Sequence, residues 1–183
     1  SWNVTNVKTL NKMFLRASKF NNGDSGDNSL KPLNWTTTNL GVGIPATNDS
    51  INGALYATFA ITPFNQDISS WNVSNVKSMR SMFYQAEKFN QDISDWERTS
   101  GVNGATSTST LANVKSMRSM FYKSYAFNGG LSNWNVSSVT NMSTMFYDAV
   151  AFDQNISGWN VSNVISMYGM LWYAVIFNQN ISE

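Results

Sequence analysis

"WNVSNVKSMRSMFYQAEKFNQDISD", from Trp71 to Asp95, is the stretch whose reading decides the fold, because the chain keeps writing it again. "WNVSSVTNMSTMFYDAVAFDQNISG" starts at Trp134, "WNVSNVISMYGMLWYAVIFNQNISE" at Trp159, and the shorter "WNVTNVKTLNKMFLRASKFN" at Trp2. Ten residues, "NVKSMRSMFY", occur unchanged at both Asn75 to Tyr84 and Asn113 to Tyr122. Two further copies are interrupted: one begins at Trp35 and resumes with "ALYATFAITPFNQDISS", the other begins at Trp96 and resumes with "LANVKSMRSMFYKSYAFNGGLSN". A 25-residue unit used six times makes this a repeat protein before any single element is assigned.

The apolar positions follow one template, I-x-x-W-x-V-x-x-V-x-x-M-x-x-M-F-x-x-A-x-x-F-N. Two periods are written into it. Trp71 and Val73 alternate with Ser70, Asn72 and Ser74, which predicts a short half-buried strand. Val76, Met79, Met82, Phe83 and Ala86 then recur at helical spacing, which predicts one or two turns of α or 3-10 helix. Thr5, Ser74, Ser137 and Ser162 stand where a helix N-cap is expected. Phe89-Asn90-Gln91-Asp92 supplies the turn back to the next strand. One unit cannot bury its own apolar face, whereas stacked units can, at about 4.8 Å per coil and roughly 30 Å in all. Equivalent residues then form columns: Trp2, Trp35, Trp71, Trp96, Trp134 and Trp159 in one, Phe20, Phe64, Phe89, Phe127, Phe152 and Phe177 in another. The fold class expected is an α/β repeat solenoid of about six coils.

Composition narrows the chemistry. Across 183 residues, 12 Lys+Arg balance 11 Asp+Glu, so the broad basic field of a nucleic-acid binder is missing. With no cysteine and no histidine, thiolate and imidazole metal sites and the Ser-His-Asp arrangement are excluded together. No run of eighteen apolar residues predicts membrane insertion in this segment. All Lys and Arg lie at or before Lys123, which makes the two ends of a stack electrically different.

The order I-x-x-W-x-V, V-x-x-M-x-x-M-F-x-x-A, F-N-Q-D-I-S resembles the BspA-like leucine-rich-repeat family, in the branch whose repeats read "WNVSNV…MF…A..FNQDIS". The resemblance implies a leucine-rich-repeat-like, right-handed solenoid of short parallel strands and short helices. It also implies a surface or secreted protein of bacteria, protists or large viruses, acting in adhesion and interaction without catalysis. That family offers no catalytic residues to carry over.

Departures from the template mark three insertions, near 21–34, 39–53 and 98–110, in what reads as a single unit over 1–183. Thr37 and Arg98 stand where Val73 stands in the regular copy. Loops at coil corners either carry recognition or are flexible bulges. Ser1 precedes a Trp and "NISE" ends where another would come, so the chain reads as a piece of a longer array.

The candidate binding surface is the face opposite Trp and Val: Ser70, Asn72, Ser74, Asp95, Glu97, Asn133, Asn135, Ser137, Asn160 and Ser162. It is amide- and hydroxyl-rich, suited to a glycan or a polar protein surface, and equally to an exposed sheet that must resist aggregation. Asp95 and Glu97 break its neutrality. Asp67, Asp92 and Asp153 read as turn formers, so no metal site and no cofactor is expected. Asp92, Asp95 and Glu97 alternate along a turn and strand rather than facing one another, which argues against a glycosidase pair and against an enzyme. Lys77, Arg80, Lys115 and Arg118, with Lys8 and Lys12, read as a solvated stripe, with no nucleic-acid partner. The Asn-x-Ser/Thr sequons are a by-product of W-N-V-S and N-I-S. Two functions follow: a surface or extracellular adhesion module binding a protein or glycan on a host or neighbouring surface, or a building block of a filament, surface layer or virion whose partners are other subunits.

Overall fold

The computed structural model describes residues 3–20, 40–42, 55–97 and 111–182. The three insertions therefore lie outside the described residues except for 40–42, as do Trp2, Trp35, Thr37 and Arg98.

The units stack as expected, and over 71–95 and 111–158 the residues read as inward are inward. Val76, Met79, Met82, Phe83 and Ala86 are fully buried, as are Val114, Met117, Met120 and Phe121 one unit later. The Phe20, Phe64, Phe89, Phe127, Phe152, Phe177 column runs through the stack with ring centroids 5.7–6.2 Å apart. A second column, Phe14, Phe59, Phe83, Phe121 and Phe146, runs beside it at 5.4–5.8 Å. The two columns pack on each other within each unit, Phe83 on Phe89 at 3.8 Å. Trp96, Trp134 and Trp159 form the tryptophan column at 6.2 and 6.5 Å. Each indole also donates Nε1–H to a carbonyl of the preceding unit, Trp96 to Ile68, Trp134 to Ile93 and Trp159 to Leu131, which satisfies its one polar atom inside the core.

The backbone differs from the expectation. The W-N-V segments are not strands; each leads into a turn at the two residues that follow it. Asn72 Oδ1 accepts the Ser74 N–H at 3.0 Å, and Val76 N–H donates back to Val73 at 2.9 Å. Asn135 with Ser137 and Asn160 with Ser162 repeat the first bond. Asn side chains that bond their own backbone two residues on compete with a strand ladder, and here they win. Parallel pairing is reduced to isolated bridges joining Ser78, Ser116, Asn141 and Ser166.

The expected helices are also replaced. Among the described residues the sole helix is a 3-10 turn at Ser94–Glu97. In residues 79–86 the N–H groups alternate between two duties. Met79, Ser81, Phe83 and Gln85 donate across to Ser116, Arg118, Met120 and Tyr122 at 2.7–2.9 Å, while Met82, Tyr84 and Ala86 donate three residues back within the unit. An α-helix would send every N–H four residues back and none to a neighbour. What bends the chain instead is a left-handed residue at Ser81 (φ 56) and another at Gln85 (φ 55), repeated at Ser119 and Lys123 and at Thr144 and Asp148. Tight turns with positive φ at their third residue give apolar side chains the same three-and-four spacing as a helix. Ser74, Ser137 and Ser162 therefore cap no helix.

The interrupted units rejoin the template at defined points. Leu111 N-terminal to Val114 takes the role of Val73, its carbonyl accepting from Val114 at 2.9 Å, and is fully buried. Leu40, at the start of the second insertion, and Leu55, just after it, are likewise buried.

Candidate functional site

The corner at Asn72-Val73-Ser74 repeats at Asn135-Val136-Ser137 and Asn160-Val161-Ser162. In the first two, Val73 and Val136 point inward, whereas Val161 is exposed; the Asn and Ser side chains lie at or near the surface in all three. Successive corners are tied together: Asn113 Nδ2 donates to the Ser74 carbonyl at 2.6 Å, and Asn163 Nδ2 to that of Ser137 at 2.8 Å. Ser70, Asn133, Asn160 and Ser162 are exposed beside them, and Ser74 and Ser137 half-buried. The predicted face is thus brought together, but as a row of Asn-anchored turns whose carboxamide oxygens are already engaged with backbone.

Asp95 is exposed on the 3-10 turn Ser94–Glu97, which starts where Ser94 N–H donates to Asp92 Oδ1 at 2.9 Å. The backbone of Glu97 closes that turn. Asp92 is thereby a turn former, as is Asp67, which accepts from Ser69 at 2.8 Å.

Asp153 belongs to a different column from Asp67 and Asp92, which corrects the grouping drawn from the sequence. It continues a ladder in which Asn65 Oδ1 accepts from Asn90 N–H, Asn90 from Asn128, Asn128 from Asp153, and Asp153 from Asn178, at 2.7–2.9 Å. Gln91, Gln154 and Gln179 brace it with their side-chain amides. The Asn178 N–H and the Gln179 amide hold the Asp153 carboxyl below its ordinary pKa by hydrogen-bonding the charged form.

One surface feature was not foreseen as a unit. Tyr84, Tyr122 and Tyr147 stack face to face at 4.7 and 4.6 Å along the outside of the array. Desolvation raises the phenol pKa of Tyr84, with Tyr122 adding to the rise. The recurrence of Tyr at one template position in three consecutive units was the available signal. Tyr122, between the other two, has both ring faces covered within the ladder. The neighbouring cations lean over rings too: Lys12 and Arg80 over Tyr56 at 5.4 and 5.7 Å, and Lys123 over Tyr122 at 5.8 Å. The basic stripe is thus partly a packing feature.

Among the described residues no three His, Cys, Asp or Glu side chains gather where a metal ion would fit, and no helix is long and apolar enough to cross a membrane. The arrangement offers hydrogen-bond donors and acceptors in a fixed row. No curated protein and no solved structure matches the chain. The family described as "Mycoplasma protein of unknown function, DUF285" matches it at residues 1–41, 47–110 and 98–183, so one family pattern recurs along nearly all of it. The chain belongs to the DUF285 family.

Proposed function

We propose that the chain is a non-enzymatic interaction module of a cell-surface or extracellular array, binding a protein or glycan through the Asn/Ser corner and the inserted loops. The finer kinship is part of this proposal: a right-handed, leucine-rich-repeat-like solenoid of the BspA-like kind, built with turns in place of strands. The observation that supports it is the register of the corner, where the same Asn-to-Ser bond at 3.0–3.1 Å fixes Asn72, Asn135 and Asn160 alike. Polar groups held in place before contact lose little freedom on binding. An uncharged row of hydroxyls and amides suits the polar face of a glycan or of another protein, and Asp95 sets one charge beside it.

The test replaces Asn72, Asn135 and Asn160 together by Asp. Each Asp keeps the Oδ1 acceptor that the turn needs, so the fold survives while the corner becomes negative. Retention of the parent chain on a glycan array or on intact cells, reduced at least about tenfold in the triple variant, is expected. Equal binding by the variant, or no binding by the parent to either, overturns the proposal.

A further inference from the structure

Two template positions carry cations in consecutive units of the interior: Lys77 and Lys115 occupy one, Arg80 and Arg118 the other. Lys115 N–H donates to the Lys77 carbonyl at 2.8 Å and Ser81 N–H to the Arg118 carbonyl at 2.9 Å, so each pair stands in register. One coil, about 4.8 Å, separates its members. Like charges set opposite each other on neighbouring rungs are destabilising. The stack does not require them. In the next unit the same positions hold Thr140 and Ser143, in the same register at 2.9 Å, and in the unit after that Ile165 and Tyr168. Two units therefore carry a repulsion that their neighbours do without.

The cations are also held in place. Lys77, Arg80, Lys115, Arg118 and Lys123 are half-buried, as long side chains are when their stems lie on the surface and their charges reach water. Lys12 and Arg80 both lie over the Tyr56 ring, and Lys123 over that of Tyr122. Asp148, beside Lys123 in the next coil, marks where the sign of this face changes. Charges fixed before contact lose little freedom on binding.

We infer that this face binds a linear sulfated polysaccharide, laid along the array over Lys77, Arg80, Lys115, Arg118 and Lys123. An acidic peptide is seated by a sheet edge, an apolar groove or a compact Arg pocket. Here the N–H groups of Met79, Ser81, Phe83 and Gln85 are already bonded to the next unit, and the cations form a row rather than a pocket. A single nucleic-acid strand needs open ring faces for its bases, and Tyr122 has both of its faces covered. A sulfated chain needs neither, only a row of cations along which its charges can lie. The surface is separate from the Asn/Ser corner, and the inference stands whether or not that corner binds anything.

Titration calorimetry of the 183-residue chain with heparin tests it, with uncharged dextran, polyglutamate and single-stranded DNA as comparisons at equal mass. Heparin is expected to bind, with an affinity that falls steeply between about 0.05 and 0.15 M salt, and dextran is not. Lys77→Thr, Lys115→Thr and Arg118→Ser together copy the residues of the next unit, so the fold is kept while heparin affinity is expected to fall at least about tenfold. Should the triple variant fail to fold, Lys123→Gln, which copies Gln85, is read in its place and is expected to lower the salt dependence by about one charge. No heparin binding by the parent, equal affinity and salt dependence in the folded variant, or tighter binding of polyglutamate or DNA than of heparin overturns the inference.

Discussion

Residues 134–158 and 159–183 are written on one template, yet they meet different fates. Met142 is fully buried and its counterpart Met167 is 40% exposed; Ile156 is 8% exposed and Ile181 is 61%. Val136 and Val161 part in the same way. The residue type does not account for this, since each of these three positions carries the same side chain in both units. Burial in this array is conferred by the neighbour, so stability is a sum over junctions rather than a property of one core. Interior units owe their order to two neighbours, the last to one.

The strongest way to break that comparison is to delete one ring from the middle and one from the end. Phe83 touches Phe59, Phe89 and Phe121, and carries no exposed surface. Phe83→Ala is expected to cost about 3–5 kcal/mol, the usual cost of an aromatic cavity. Phe177 stacks on Phe152 alone and is half-buried, so Phe177→Ala is expected to cost about 1–2 kcal/mol. Chemical denaturation of both variants measures the gap. Equal losses would mean that the array melts as one block and that the ends are not distinct.

That gap also marks what the sequence made legible. The inward residues were readable because burial selects side chains: Val76, Met79, Met82, Phe83 and Ala86 sit where the apolar spacing put them. The backbone was not, because turns closed by Ser81 and Gln85 generate the same spacing as a helix, and neither residue is the glycine or asparagine that usually announces a left-handed position. Gly169, at the place of Ser81, is the one unit where the residue type gave it away. At the corner, the Asn-x-Ser pattern carried the turn in plain sight, but the alternation of Trp71 and Val73 outweighed it. The members of the candidate face could be named from the alternation; that the amides of Asn72, Asn135 and Asn160 face their own backbone follows only from the fold.

Two glycines sharpen the contrast at intermediate size. A Cβ at Gly129 would come within 2.3 Å of the Gln91 carbonyl, whereas at Gly158 it would meet nothing within 4 Å. Gly129→Ala is therefore expected to cost about 1–3 kcal/mol, as overpacking does, and Gly158→Ala close to nothing. Thermal melts followed by tryptophan fluorescence compare them; a harmless Gly129→Ala would show that the units can slide apart by the needed margin. Smaller again is Ser81→Gly, which copies what the chain does at Gly169. It exchanges left-handed strain of about 1–2 kcal/mol for a glycine entropy cost of about 0.5–1, for a net gain of about 0–1.5 kcal/mol in the same melts. A loss would show that Ser81 contributes more through its side chain than its backbone costs.

The smallest effect concerns how the last unit is tied on. Asp153 occupies a column where Asn65, Asn90 and Asn128 make the same bond without a titratable group. Its pKa is lowered by the Asn178 N–H and then by Gln179, so its contribution is fully present above its ordinary value of 3.8 and is lost as pH falls through the lower folded value. Protonation weakens both bonds to 178–179 and leaves the Asn-based junctions untouched. Hydrogen exchange at Asn178 is expected to quicken in that acid window ahead of exchange at Asn90, and Asp153→Asn is expected to remove the difference. If Asn178 and Asn90 respond alike, the carboxylate adds nothing to this junction that an amide does not.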